Sequence, residues 1–275
     1  VKREVELKRR LRSLQSLGEA VGAMKSLSAH HFRETRNAVE PARIYRQGVE
    51  RICGWAGATL GAGGGAAGLL VIGAELGLCG GYNAQVVAAG AKRRAELGPG
   101  PTMCVGHRAA ALLARRKVAV VESYAGPTSV RGLTDLLLRL AEDLLTAYVD
   151  ERLASFDIVS SRFGGVGIAR PAAVRLLPLA ADRSAPAKAA RYVSEDRLAS
   201  AAVREFLYIA LYDHLLDALA SEHGARLMAT QAAEKWLDER TERLRRHLAS
   251  ARREASTQEV IEIAGGARAR RRRES

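Results

Sequence analysis

The chain has 275 residues, 48% of them hydrophobic and 5% aromatic, with seven prolines, and its 43 basic and 30 acidic side chains leave it at net +13. That is enough apolar chain for one or two domains, and it excludes a Pro-rich disordered polypeptide; so few aromatics argue against stacking of single-stranded bases. No apolar run approaches the ~20 residues that cross a bilayer, the charged opening is unlike a signal peptide, and three cysteines without a C-x-x-C pair fit a reducing compartment.

Residues 1–55 are charged and helix-like. Leu7, Leu11, Leu14, Leu17, Val21, Met24 and Leu27 follow steps of three and four, which predicts a seam along one helix face. Pro41 predicts a bend. A Gly/Ala stretch, 61–68, reads as a flexible joint to the next region. From 68 to 180 the chain is aliphatic and Gly-punctuated. Short buried strands are expected at 69–72, 103–105, 118–121 and 156–159, with a further one at 172–177 suited to an edge. Helical spacing over 81–97, 107–116 and 130–151 lies between them, which predicts an open, mostly parallel sheet. Residues 180–186 mark a second junction.

The last region, 195–264, is the longest helical pattern. Ile209, Tyr212, Leu216, Leu219, His223, Leu227, Thr230, Ala233, Leu237, Leu244, Leu248, Ala251 and Ala255 keep three/four steps, with Gly265-Gly266 as the expected stop. A helix of that length, roughly 100 Å at 1.5 Å per residue, needs a partner of similar length. Residues 1–52 carry twelve basic and six acidic side chains, and residues 195–264 carry ten and thirteen, so their opposite signs favour pairing with each other. The fold expected is therefore α/β: an antiparallel coiled coil of long N- and C-terminal helices plus a central open, mostly parallel, Rossmann-like domain. The boundaries expected are 1–58, 59–190 and 191–266, followed by a basic tail at 267–275.

Active-site patterns are missing. There is no Walker loop, no H-E-x-x-H, no G-x-S-x-G and no EF-hand. Gly63 to Gly68 spells G-x-G-x-x-G, but it precedes the first strand, where a dinucleotide fingerprint would follow it. Gly77-Leu-Cys-Gly-Gly-Tyr-Asn83 does sit between strand and helix. It reads either as an anion site at a helix N-terminus or, preferably, as close backbone packing around a small buried Cys79, with Asn83 free to cap the helix. The six histidines, at 30, 31, 107, 214, 223 and 247, show no ligand spacing. His223 falls on the C-terminal seam, and Asp213, Asp217 and Glu222 read as a solvated face. No catalytic, cofactor-binding or metal-binding residues are expected, and no cofactor.

Three stretches together resemble the gamma subunit of the F-type ATP synthases. Leu11-Arg-Ser-Leu14 with Ala23-Met24-Lys25 is similar to that family's basic opening helix. Residues 77–83 look like its Gly-Leu-Cys-Gly-Gly-aromatic-Asn turn. Residues 220–226 with Gln231, then Thr257-Gln-Glu-Val-Ile-Glu-Ile263 and Gly265-Gly266, resemble its C-terminal helix. The resemblance implies a non-catalytic rotor shaft that couples ion flow through the membrane sector to ATP synthesis or hydrolysis at the beta subunits. The partners it implies are the alpha and beta hexamer, the epsilon subunit and the c-ring. No specific nucleic acid is expected, and membrane contact comes only through the complex, on the cytoplasmic face of a prokaryotic plasma (inner) membrane. It places Lys25, Arg226 and Gln231 at beta-subunit contacts, and Thr257, Gln258, Glu259, Ile261 and Ile263 at an upper bearing. Gly77, Cys79, Gly80, Gly81 and Asn83 form its structural turn.

Several departures from the family pattern mark a divergent branch, with the alternative type of F-type ATPase as one candidate: residues 17–22, residues 232–236 and Glu75-Leu76. Five arginines in the last eight residues read as a solvated protrusion. A basic coiled-coil nucleic-acid binder is the alternative reading, suggested by the net charge and the Arg tail. An enzyme built on the central domain is a third; it would need a pocket beyond the strand ends holding perturbed ionisable groups.

Overall fold

The computed structural model describes residues 2–271 apart from 57, 59, 62, 151 and 180–193, with no side chains described at 2, 195 and 266–271. The elements run α1 (Lys2–Ala56), β1 (Ala67–Ile72), α2 (Tyr82–Leu97), β2 (Thr102–Val105), α3 (His107–Arg115), β3 (Glu122–Tyr124), a 3-10 turn (Val130–Gly132), α4 (Leu133–Asp150), β4 (Ser155–Phe163), β5 (Ala169–Leu177) and α5 (Glu195–Arg271). The junction at 180–186 and residues 272–275 of the Arg tail lie outside the described residues. Two compact units separate: residues up to 26 with those from 230 onward, and residues 27–229.

In the first unit the two ends of the chain run antiparallel. Lys25 Nζ lies 2.5 Å from Glu234, Arg252 Nε donates to Glu4 at 3.0 Å, and Arg3 lies 3.5 Å from Glu254. Leu7, Leu11, Leu14, Gly18, Val21 and Lys25 are the inward positions on α1, at alternating steps of four and three. The expected Leu17 and Leu27 are exposed instead. They break the seven-residue phase that the helix follows, and Gly18 and Ser28 hold the places beside them. The same phase continues on α1 through Phe32, Thr35, Val39, Ala42, Val49, Cys53 and Ala56. A strict 3.5-residue repeat is the signature of a left-handed coiled-coil seam. Pro41 lies outside that phase, and the helix assignment continues through it without a break; a proline in the helix interior leaves one carbonyl without its usual donor.

On α5 the answering positions are Thr230, Glu234, Leu237, Thr241, Leu244, Leu248 and Ala251. Ala255, expected on the seam, is exposed, as is every residue from 252 to 265. Gly265 and Gly266 do not end the helix, which continues to Arg271. A glycine costs a helix only about 1 kcal/mol, and the Ala and Arg residues that follow are strong helix formers.

The second unit is built on a five-stranded sheet of order β3-β2-β1-β4-β5. Four strands are parallel, and β5 joins the edge antiparallel to β4. The expected strand at 118–121 lies four residues too early: the strand forms at 122–124, and Val121 is exposed. Alternate residues point to opposite faces of a strand. Leu69, Val71, Cys104 and Val159 pack against Val86 and Val87 of α2 and Leu113 of α3. Leu70, Ile72, Met103, Val105 and Ile158 pack with the leucines of α4 and with Phe206, Leu211, Leu215 and Leu219 of α5. Because both faces are covered, the central strands read as continuous apolar runs. Residues 213–224 of α5 are buried on every side, as expected of a helix enclosed by a core.

The Gly/Ala stretch is pinned rather than loose. The Gly63 and Gly65 amides donate to the Leu153 and Arg152 carbonyls, and a Cβ at Gly63 would sit 2.0 Å from the Arg152 oxygen. Gly63 serves close backbone approach and Gly68 makes room for the Phe156 ring, and β1 rather than a helix follows them, so the G-x-G-x-x-G spelling has no phosphate-binding context.

Candidate functional site

In doubly wound folds a ligand binds beyond the carboxyl ends of the strands, where the strand order reverses. Here that reversal falls between β1 and β4, and the turn 77–83 that follows β1 is tied to α5. Tyr82, at the start of α2, donates its hydroxyl to the Ala218 carbonyl of α5 at 3.1 Å. Asn83 does not cap α2. Its amide turns back to Ala74, accepting from the backbone N–H at 2.8 Å and donating to the carbonyl at 3.3 Å. Helix α2 begins two residues earlier than a capping role would require, so the side chain closes the loop behind it. Leu78 and Gly80 both hold positive φ in this turn, at 58° and 56°. Cys79 is buried, and burial raises its thiol pKa, with Glu222 adding to the effect. Close packing is what the turn does.

Arg226 locks the turn to α5. It is 4% exposed, and its Nε donates to the Gly77 carbonyl at 3.0 Å while Nη2 reaches the Leu76 carbonyl at 3.4 Å. The same Nη2 is paired with Glu222, one helical turn back. Burial pushes the Glu222 pKa up to about 7, against the pull of Arg226. Burial also drives His223 down to about 3, helped by Arg226 and His31. The His223 ring stacks on His31 of α1, with centroids 5.3 Å apart, so its place between the helices matches the seam expectation. Gly224 leaves little room for a side chain: a Cβ would lie 3.3 Å from the Phe32 ring and 3.4 Å from the Gly167 nitrogen.

The solvated face expected for Asp213, Asp217 and Glu222 is instead the inside of the molecule. Asp217 is 0% exposed and accepts from Arg43 at 2.8 Å and Arg162 at 2.7 Å. Asp213 accepts from Arg46 at 2.8 Å and Arg162 at 3.0 Å. Burial raises the Asp217 pKa, opposed by Arg43 and Arg162. Buried carboxylates need such partners, and α1, β4 and α5 each supply part of the cluster. His214 beside it meets Ser160 Oγ at 2.8 Å, and burial, with Arg162, lowers its pKa to about 4. Sequence spacing along α5 could not reveal this, because the arginines come from positions 43, 46 and 162. The signal available was carboxylates at i and i+4 inside an otherwise apolar run.

The remaining expected contacts are placed as follows. Gln231 is exposed; Lys25 is half-buried and paired with Glu234. Thr257, Gln258, Glu259, Ile261 and Ile263 are exposed on the single-helix stretch of α5. Thr257 donates to the Arg253 carbonyl and Gln258 to Glu262, both within the helix.

The ATP synthase family model matches residues 4–269. The chain is 31% identical to the ATP synthase gamma chain of Moorella thermoacetica, over 95% of this chain and 97% of that one. It belongs to the ATP synthase gamma-chain family. The gamma chain of Pelotomaculum thermopropionicum is 29% identical over 96% and 98% of the two chains. In fold the chain is similar to one in the Euglena gracilis mitochondrial ATP synthase complex of OSCP, F1 and c-ring. That match has a TM-score of 0.71 at 14% identity and covers 98% of this chain and 94% of that one. A chain of the Euglena rotor matches with a TM-score of 0.64 at 15% identity, over 92% and 98%. The nucleic-acid reading finds no support among these relatives.

Proposed function

We propose that this chain is the central rotor shaft of a rotary F-type ATP synthase. It couples ion flow through the membrane sector to the catalytic beta subunits and performs no reaction itself. The observation that carries this reading is the antiparallel pairing of the two long terminal helices in a member of the gamma-chain family. Tyr82 and Arg226 tie the turn 77–83 to α5, and Asn83 closes that turn on Ala74. Within residues 27–229, buried ion pairs connect β4 to α1 and α5 and so offer a route for torque.

The partners under this reading are an alpha and beta hexamer around the paired helices, and an epsilon subunit and c-ring at the α/β domain. The complex sits at the cytoplasmic face of a prokaryotic plasma membrane. Lys25 and Gln231 face beta subunits, and residues 257–263 turn in the upper bearing. Arg226 acts through the 77–83 turn, since its guanidinium is already engaged by Gly77 and Glu222. Exposed ion pairs contribute only ~0–1 kcal/mol each, and contacts that weak between the shaft and its partners can exchange as it turns.

The test is co-purification of the tagged full chain from its native membranes, followed by single-molecule rotation of the recovered complex. The reading expects alpha, beta and epsilon subunits, and ATP-driven rotation of a probe fixed to the α/β domain. Recovery without those subunits, or rotation that persists in a complex lacking this chain, overturns it.

A further inference from the structure

The histidines, which show no ligand spacing when read as a linear pattern, do gather on α1. His30 and Glu34 are one turn apart and project from the same side of the helix. His31 stands beside them, its Nδ1 3.7 Å from a Glu34 oxygen. One ligand atom from each of the three lies within 4.8 Å of the other two. A tetrahedral ion with bonds of about 2.1 Å holds its ligand atoms about 3.4 Å apart. Small rotations of His30 and Glu34, both exposed, close that gap. His31 need not move. Its ring is held against His223, and its Nδ1 is shielded from water without a hydrogen-bond partner. A buried ring nitrogen left unsatisfied is a lone pair positioned for an electrophile.

We propose that His30, His31 and Glu34 bind a divalent transition-metal ion of the zinc class. Two imidazoles and a carboxylate suit zinc, cobalt or nickel and discriminate against calcium and magnesium, which take oxygen ligands. Three protein ligands leave a fourth position open to water or to a group from a partner. The ion ties the turn 30–34 together and fixes His31 in its stack on His223. The inference is independent of the rotor reading, since it rests on the geometry of α1 and the His31–His223 stack.

The experiment uses the full chain freed of any histidine tag. Zinc is titrated against a chromogenic chelator, and cobalt is used as a spectroscopic probe. One ion with micromolar Kd is expected, with tetrahedral cobalt bands and no sulfur charge-transfer band, which sets the site apart from the three cysteines. His30→Ala and Glu34→Gln alter exposed side chains and leave the fold intact; each is expected to weaken zinc by about tenfold or more. His31→Ala is read only where circular dichroism shows native helix. No saturable zinc uptake, sulfur-ligated cobalt, or unchanged affinity in both His30→Ala and Glu34→Gln overturns the proposal.

Discussion

Replacing Asp217 by asparagine removes one charge from a fully buried carboxylate and almost no volume. In the native cluster Arg43, Arg46 and Arg162 face the buried Asp213 and Asp217, and Glu40 and Glu50 reach Arg43 and Arg46 from the solvent side at 3.9 and 3.1 Å. Asp217→Asn removes one of the two buried anions and leaves Arg43 only the exposed Glu40. Breaking a buried ion pair from one side costs about 3–5 kcal/mol. Here the arginines retain about a third of their exposure, 35% for Arg43 and 32% for Arg162, so both can partly rehydrate. The lower end, about 3 kcal/mol, is therefore expected. For a unit of about 200 residues, each kcal/mol moves Tm by about 2–4 °C, so the loss appears as roughly 6–12 °C in a melt followed by circular dichroism. The double variant Arg43→Met, Asp217→Leu removes both partners, leaves Asp213 to Arg46 and Arg162, and is expected to recover at least half of the loss. A drop below about 0.5 kcal/mol for Asp217→Asn, or a double variant as unstable as the sum of the two singles, would refute the claim that the cluster is a dry structural joint.

Three further outcomes follow from the same geometry. His214 is neutral in the fold, with its pKa lowered to about 4 from an unfolded value near 6.5, so it contributes stability that is present above pH 6.5 and lost as pH falls towards 4, about 3 kcal/mol in all; His214→Asn should make the acid limb of a stability–pH profile shallower. Glu222 runs the other way: burial raises its pKa to about 7, so the fold holds a proton that the unfolded chain has released, stability declines as pH rises from about 4.5 to about 7, and Glu222→Gln should flatten urea midpoints across that interval. Gly224→Leu should cost about 2 kcal/mol or more by overpacking against Phe32 and Gly167, despite a gain in helix propensity of about 1 kcal/mol, as read from urea unfolding at neutral pH.

The architecture was legible in the sequence wherever one signal dominated. Apolar runs at 69–72, 103–105 and 156–159 are buried on both faces and became central strands. The strand at 122–124 was misplaced because Val118 to Val121 carries the hydrophobicity while Glu122, Ser123 and Tyr124 carry the pairing to β2. The α1 seam was legible only at its leucines, because Gly18, Lys25, Ser28 and Thr35 also occupy inward positions. A search for a strict seven-residue phase, indifferent to residue type, would have rejected Leu17 and Leu27. The buried ion cluster and the Arg226 lock stayed hidden for a different reason. Each joins residues more than a hundred positions apart, and polarity alone reads Asp213, Asp217 and Glu222 as a wet face.

The stretch of α5 beyond Ala251 carries the remaining argument. Val260, Ile261 and Ile263 are 62%, 59% and 72% exposed, on a stretch that no other described residue covers. At 100° per residue, 261 and 263 sit about 100° and 300° round from 260, so the three apolar side chains share one arc of about 160°. Glu259 and Glu262, about 260° and 200° round, lie on the opposite side. A helix laid in a groove shows this division into one apolar face and one polar face. Under the bearing proposed for residues 257–263, contact is therefore expected through one face of the helix rather than all round it.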